Sequence, residues 1–269
     1  MTGIPAPESL PWMHSVDAKI VRAGEHLEVL SKEIHDYLRA AKRTTIPKVD
    51  GDVSWLVHWV ENPTSSLHLS TVVGDVVFNL RSALDNLVCG LIRKKDSTAP
   101  CKKSQFPICV STDRWEKDSE KWLKGVEPDA QKIIKGLQPC FKDYGKPEDD
   151  PLAVLNTLGN MDKHRAVLVT GSYDRHVEFS VHLNDGRIHR VMLMEPIHAG
   201  YPATIPLENI HPRLVSPKVR VESFGTGFVI FHESGAWGER PVLDIMFSLL
   251  GYVKDRVIPR FKPFFETIV

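Results

Sequence analysis

The stretch "TVVGDVVFNLRSALDNLVCGLIRKK", running from Thr71 to Lys95, is apolar around most of its circumference. Val73, Val76, Val77, Leu80, Leu84, Leu87, Val88, Leu91 and Ile92 recur at helical spacing, which predicts a helix buried on most of its sides. Its polar residues are not scattered. Asp75, Asn79, Ser82 and Asn86 fall at i, i+4, i+7 and i+11 on one line, with Arg81 and Asp85 beside it at i and i+4. An unpaired charge is costly to bury, so Arg81 and Asp85 must pair with each other or with groups on a neighbouring element.

A candidate neighbour is "TLGNMDKHRAVLVT", Thr157 to Thr170. A helix is expected from Pro151 to about Val169, because proline suits the first helical position and here follows "EDD". On it Asn156, Asn160, Lys163 and His164 share one face, Leu155, Leu158 and Val169 take another, and Asp162 and Arg165 are expected to serve a different element. If the two polar faces oppose each other, Arg81, Asp85, Asn86, Asn160, Lys163 and His164 form one cluster. It would hold an imidazole titrating near neutrality, a carboxylate to orient it and cations for a developing oxyanion. The same cluster can equally be a structural network that fixes helix register without any reaction.

Outward from these two segments, "SVDAKIVRAGEHLEVLSKEIHDYLRAAKR" (Ser15 to Arg43) reads as a long amphipathic helix with Ser15 as N-cap. "VSWLVHWVE" from Val53 reads as a strand, and shorter helices are expected at about Thr112 to Lys124 and Asp129 to Leu137. Then the period changes: "HVEFSVHL", "RIHRVML", "KVRVESF" and "GFVIFHE" are strand-like, with "NDG" marking a hairpin between the first two. A proline-started helix from Pro241, ending near Pro259, closes the chain. The expected class is α+β: a single domain with a bundle core of three long helices plus short ones, at 15–171 and 241–269, and a mostly antiparallel β-sheet inserted at about 172–235.

Composition narrows function. Thirty-four basic residues balance thirty-four acidic ones in 269, so no global field holds a polyanion or an acidic membrane, and any such contact needs a local patch. The nearest to one is "RKKDSTAPCKK", Arg93 to Lys103, for which a solvated loop is the default reading and an RNA-backbone contact the functional one. No run approaches the roughly 18 apolar residues of a membrane span. Cys89, Cys101, Cys109 and Cys140 include no CxxC pair and are expected to be free thiols, which suits a cytoplasmic location. No HExxH occurs, and His35 with Asp36, His164 with Asp162, and His232 with Glu233 are isolated neighbours, so neither a metal nor another cofactor is expected. "SGAWGER" (Ser234 to Arg240) reads as a plain turn, and Trp55, Trp59, Trp115 and Trp122 as packing residues before base-stacking ones.

"GDVVFNLRSALDNLV" and "LGNMDKHR" together resemble a family of bacterial and phage hypothetical proteins in which an LRSALDxL helix precedes an NxDKHR helix. More loosely the pair is similar to HEPN domains, helical modules of RNA-cutting toxins and defence proteins, whose signature is an arginine followed after four to six residues by a histidine. Here Asn86 stands where that family has histidine after Arg81, so the histidine would have to be His164. The resemblance implies a metal-independent ribonuclease in defence or toxicity. His164 would then be acid or base, Asp85 its orienter, Arg81 and Lys163 the phosphate contacts, and Asn86, Asn160, Asn79 and Asn156 the substrate-positioning groups. RNA would be the partner, a membrane would not, and a homodimer is allowed.

Overall fold

A computed structural model describes residues 12–61, 67–143, 145–164, 169–208, 212–215, 219–231 and 240–265. The class is α+β. The elements in chain order are α1 (Trp12–Ala40), β1 (Arg43–Asp50), β2 (Val53–Val60), α2 (Leu67–Lys95), α3 (Thr112–Trp122), α4 (Pro128–Gly136), α5 (Pro151–His164), β3 (Val169–His182), β4 (Ile188–Leu193), β5 (Ile197–His198), β6 (Ala203–Pro206), β7 (Val221–Phe231) and α6 (Val242–Gly251). A π-helical segment, Tyr252–Val257, and a 3-10 segment, Ile258–Phe264, carry the chain on from α6.

Several expected boundaries move, each for a local reason. Helix α1 begins at Trp12, because Met13, Val16 and Ile20 continue the apolar stripe, so Ser15 lies inside the helix and is not its cap. Two helices are long, at 29 residues each, where three were expected; α5 has 14 and α6 has 10. Val169, expected to end helix α5, instead begins a strand, in keeping with the β-branched Val169 and Thr170. "KVRVESF" and "GFVIFHE" fuse into the one strand β7. The last helical run passes Pro259 through its 3-10 turns, which need no i to i+4 bond.

The chain divides into two compact units: Met1–Leu30 with Ser70–Val167 and Leu243–Val269, and Ser31–Leu69 with Leu168–Val242. The second is the β unit, and it is not confined to an insertion near 172–235. Its first hairpin pairs β1 with β2 from Arg43↔Val60 to Asp50↔Val53, around a two-residue turn that Gly51 makes possible at φ 57°. Strand β6 adds to β2 at Leu56↔Ile205, completing a three-stranded sheet in the order β1-β2-β6. Pro47, which cannot donate to a ladder, sits on the edge strand β1.

The other sheet has four strands built around β3, which pairs antiparallel with β4, β5 and β7. The β3–β4 hairpin is the one signalled by "NDG". Between Arg175 and Glu178 the register with β7 shifts, and His176 takes φ 56°, as an extra residue in a bulge can. Leu56 and Ile205 of the three-stranded sheet share a core with Val177, Phe179 and Val181 of β3. His58 is fully buried there, edge-on to Phe179 at 5.2 Å, with its Nδ1 2.7 Å from Thr45 Oγ1.

The helical unit buries most of the circumference of α2, including Val73, Val76, Leu80, Leu84 and Leu87, and leaves Thr71, Asp75 and Phe78 exposed along one side. Leu152, Leu155 and Leu158 of α5, and Met246, Val253 and Phe261 near the chain's end, are buried in the same unit. Asp150 caps α5: its Oδ1 accepts from the Leu152 N–H at 2.9 Å, and its other carboxylate oxygen pairs with Lys142. Lys142 Nζ also donates to the Tyr252 hydroxyl at 2.8 Å, which ties the start of α5 to the π-helical segment. Trp115 packs edge-on against Phe141 at 5.7 Å and is buried, as its packing role required.

Cys89 and Cys101 are joined in a disulfide, which overturns the expectation of four free thiols. The cause is local folding. Arg93 Nε reaches back to the Ala99 carbonyl at 3.2 Å, and the loop after α2 turns until the two Cα atoms are 5.6 Å apart. The thiol argument for a reducing compartment loses its premise with it.

Helices α2 and α5 cross closely where α5 has glycine. A Cβ placed on Gly159 would meet Val77 Cγ1 at 3.5 Å and Arg81 Cγ at 3.6 Å, which is ordinary contact. Glycine is therefore not sterically required there, and alanine is the better helix former by about 1 kcal/mol. Gly159→Ala is expected to raise unfolding free energy by up to about that amount. Urea unfolding of both proteins, with unchanged slope, measures it.

Candidate functional site

Arg81 and Asp85 pair one turn apart on α2, Nη2 to Oδ1 at 3.3 Å. Neither group stops there. Nη2 also lies 3.3 Å from the Phe106 carbonyl, and the Phe106 N–H donates to Asp85 Oδ1 at 2.9 Å. The pair thus holds both backbone groups of one residue, whose side chain is fully buried. A segment that crosses a helix has no ladder partner for its N–H and C=O, and a guanidinium beside a carboxylate supplies one of each. Arg81 Nη1 is buried and has no hydrogen-bond partner among the described residues.

The rest of the α2 polar line turns toward α1. Asn79 is 6% exposed; its Nδ2 donates to the Asp75 carbonyl at 2.8 Å and its Oδ1 accepts from Lys19 Nζ at 3.3 Å. The Asp75 carboxylate faces His26 Nδ1 at 3.9 Å. Lys19 also lies over the Phe78 ring, 5.2 Å from its centroid. Asn79 is thereby tied to its own helix and to α1, while Asn86 is half-buried.

Helix α5 meets α2 through other residues than those expected. Gly159 lies against Arg81, whereas Asn160, one position round the helix, is exposed and Asn156 is half-buried. Asp162, expected to serve a different element, faces α2: a Cβ on Gly74 would come within 2.8 Å of its Cγ. The reason is periodicity. Asp162 follows Leu158 by four residues and Leu155 by seven, so it continues the side of the helix that those leucines bury, though as a residue it is exposed at the helix end. The side chains of Lys163 and His164, and all of Arg165, lie outside the described residues, as does the Ser234–Glu239 part of "SGAWGER".

Near this crossing is a cleft of about 470 Å³ lined by Ser70, Thr71, Gly74, Asp75, Phe78 and Asp162. Burial raises the Asp162 pKa above its ordinary 3.8, and the like charge of Asp75 adds to the rise. Two carboxylates facing one cleft repel phosphate, so this is not where an RNA backbone would lie. Gly74, Gly159, Asp162 and Phe106 were missed as site residues. Only Asp162 carried a usable signal, its i+4 relation to Leu158.

Burial pushes the Cys109 thiol up to about 11, with Cys140 adding to the shift, so neither its charge nor its nucleophilicity is available near neutral pH. Gln138 is fully buried with its amide satisfied, accepting from the Cys109 N–H at 3.0 Å and donating to the Ile134 carbonyl at 2.9 Å. Among the described residues no three His, Cys, Asp or Glu side chains gather as a metal site would need. No helix of the described chain is long and apolar enough to cross a membrane.

No protein-family model, curated protein or solved structure matches the chain.

The Asp162 shift sets a sign. A carboxylate whose folded pKa is raised binds more protons in the native than in the unfolded state as pH climbs from 3.8 through the folded value, so stability falls across that window. Above it the charged Asp162 is a net cost, and Asp162→Asn is expected to raise Tm at pH 7. The gain should vanish near pH 3, where Asp162 is already protonated. Thermal melts of the two proteins at both pH values check this, and an equal or lower Tm for the variant at pH 7 contradicts it.

Proposed function

We propose that the chain is a non-catalytic binding module, in which the Arg81–Asp85 pair is a clamp that holds the Phe106 segment on α2. The observation that carries this reading is the double hold on the Phe106 backbone, N–H to Asp85 and C=O to Arg81. Asp85 Oδ1 already accepts from two donors, Arg81 Nη2 and the Phe106 N–H, so one of its two oxygens is committed to the clamp. Asn86, at the place where the HEPN-like pattern has histidine, neither gives nor takes a proton near pH 7.

The rival reading is an HEPN-like ribonuclease of defence or toxicity, with His164 as acid or base and Arg81 and Lys163 on phosphate. One observation favours it: the buried, unpartnered Arg81 Nη1 is a charged donor that a bound anion would satisfy. Against it stand Asn79, already engaged by Lys19 and the Asp75 carbonyl, and the two carboxylates of the nearby cleft.

The two readings separate in two measurements. As a clamp, Asp85→Ala strands the Phe106 N–H and a largely buried guanidinium, which is expected to cost about 2 kcal/mol in urea unfolding. Asp85→Asn keeps an acceptor and is expected to cost less. Wild-type protein incubated with total RNA is expected to leave it intact; cleavage that disappears in His164→Ala would replace the binding module with the ribonuclease.

A further inference from the structure

The C-terminal end of α2 gathers positive charge. The helix finishes in Arg93, Lys94 and Lys95, and the turn beyond the disulfide carries Lys102 and Lys103. Against these five cations the same eleven residues hold one acid, Asp96, whose Oδ1 is engaged by the Thr98 N–H at 3.0 Å and the Thr98 hydroxyl at 2.7 Å. Lys94, Lys95, Lys102 and Lys103 are all exposed. Among the described residues none of the four forms an ion pair, whereas Lys42, Lys132 and Lys142 pair with Glu61, Asp129 and Asp150. A chain whose charges otherwise balance thus carries a local excess of four.

The disulfide determines how that excess is arranged. Cys89 lies one turn before Arg93 on α2, and Cys101 immediately precedes Lys102. Ser104 closes the turn by donating its N–H at 3.2 Å and its hydroxyl at 2.8 Å to the Cys101 carbonyl, with Lys102 and Lys103 at the corners. The bond therefore returns the second lysine pair to the helix that presents the first. Cations at a helix C-terminus also stabilise the helix dipole, but Lys102 and Lys103 are not on the helix and take no part in that.

We propose that this disulfide-closed loop is a binding surface for the phosphodiester backbone of a nucleic acid, with Lys94, Lys95, Lys102 and Lys103 as its phosphate contacts. Lysines act here as mobile point charges, suited to a sequence-independent run of phosphates. An anionic membrane fits less well, because no large apolar side chain between Phe78 and Val110 is exposed to enter a bilayer. The surface begins about three and a half turns along α2 from Arg81. It stands independently of whether the Arg81–Asp85 pair clamps or reacts.

The test is fluorescence anisotropy of the full-length, oxidised protein with labelled 20-nucleotide RNA and DNA of one sequence. Four phosphate contacts to a single strand predict a loss of about 50-fold in affinity between 50 and 200 mM salt. Lys102→Ala with Lys103→Ala, both on exposed side chains, is expected to weaken binding and to halve the log–log salt slope. Cys101→Ser is expected to weaken binding as well, and a dithiol reductant, which converts the disulfide to two thiols while closing its own ring, to do the same to wild type. Preference for one strand type names the source of the backbone. Binding unchanged in the lysine variant, binding insensitive to salt, or tighter binding to phosphatidylserine vesicles or polyglutamate than to either strand would overturn the proposal. Equal affinity in Cys101→Ser would overturn the role given to the disulfide.

Discussion

The burial of α2 on most of its sides constrains everything around it. A helix of 29 residues that hides most of its circumference cannot leave a guanidinium and a carboxylate unanswered in its middle. They answer each other, and in doing so they acquire the geometry to hold a passing backbone, that of Phe106. The segment after α2 can then lie across the helix with its polar groups satisfied and its aromatic ring inside. Fold and candidate site are the same few atoms here, which is why a change at Asp85 reads out in stability before it reads out in anything else.

The clamp was half legible in the sequence. The i, i+4 relation of Arg81 and Asp85 on an apolar helix demands a pair, and local periodicity suffices to see it. The third member was illegible, because a backbone N–H and C=O exist at every position and carry no side-chain signature. Facing surfaces on α5 were legible only in outline. Of the expected face, Asn160 is exposed and Asn156 half-buried, while the side chains of Lys163 and His164 lie outside the described residues. The contact instead runs through Gly159 and Asp162, on the stripe of Leu155 and Leu158.

The β unit divides the same way. The Asn184–Gly186 hairpin and the change to period-two patterning were plain, and they place β3 and β4 together. Strand β1 was hidden because "RTTIPKVD" contains a proline, which demotes a run to an edge strand or to none. Only its partner β2 reveals it. The disulfide was hidden for a related reason: twelve residues separate Cys89 from Cys101, and nothing in that spacing says that the loop doubles back.

The pairing of β2 with β6 has a consequence for how the chain acquires its fold. Strand β2 ends at Val60 and β6 begins at Ala203, and α2 through α5 lie between them. On a ribosome the β1–β2 hairpin therefore emerges long before its third strand exists, and a lone hairpin is marginal in water. Loop-closure entropy grows only slowly with length, so if the intervening helices condense first they shorten the search without blocking it. The order of events is then dictated by topology: local helices early, the sheet that spans the chain last, at the rate its distant partners can meet.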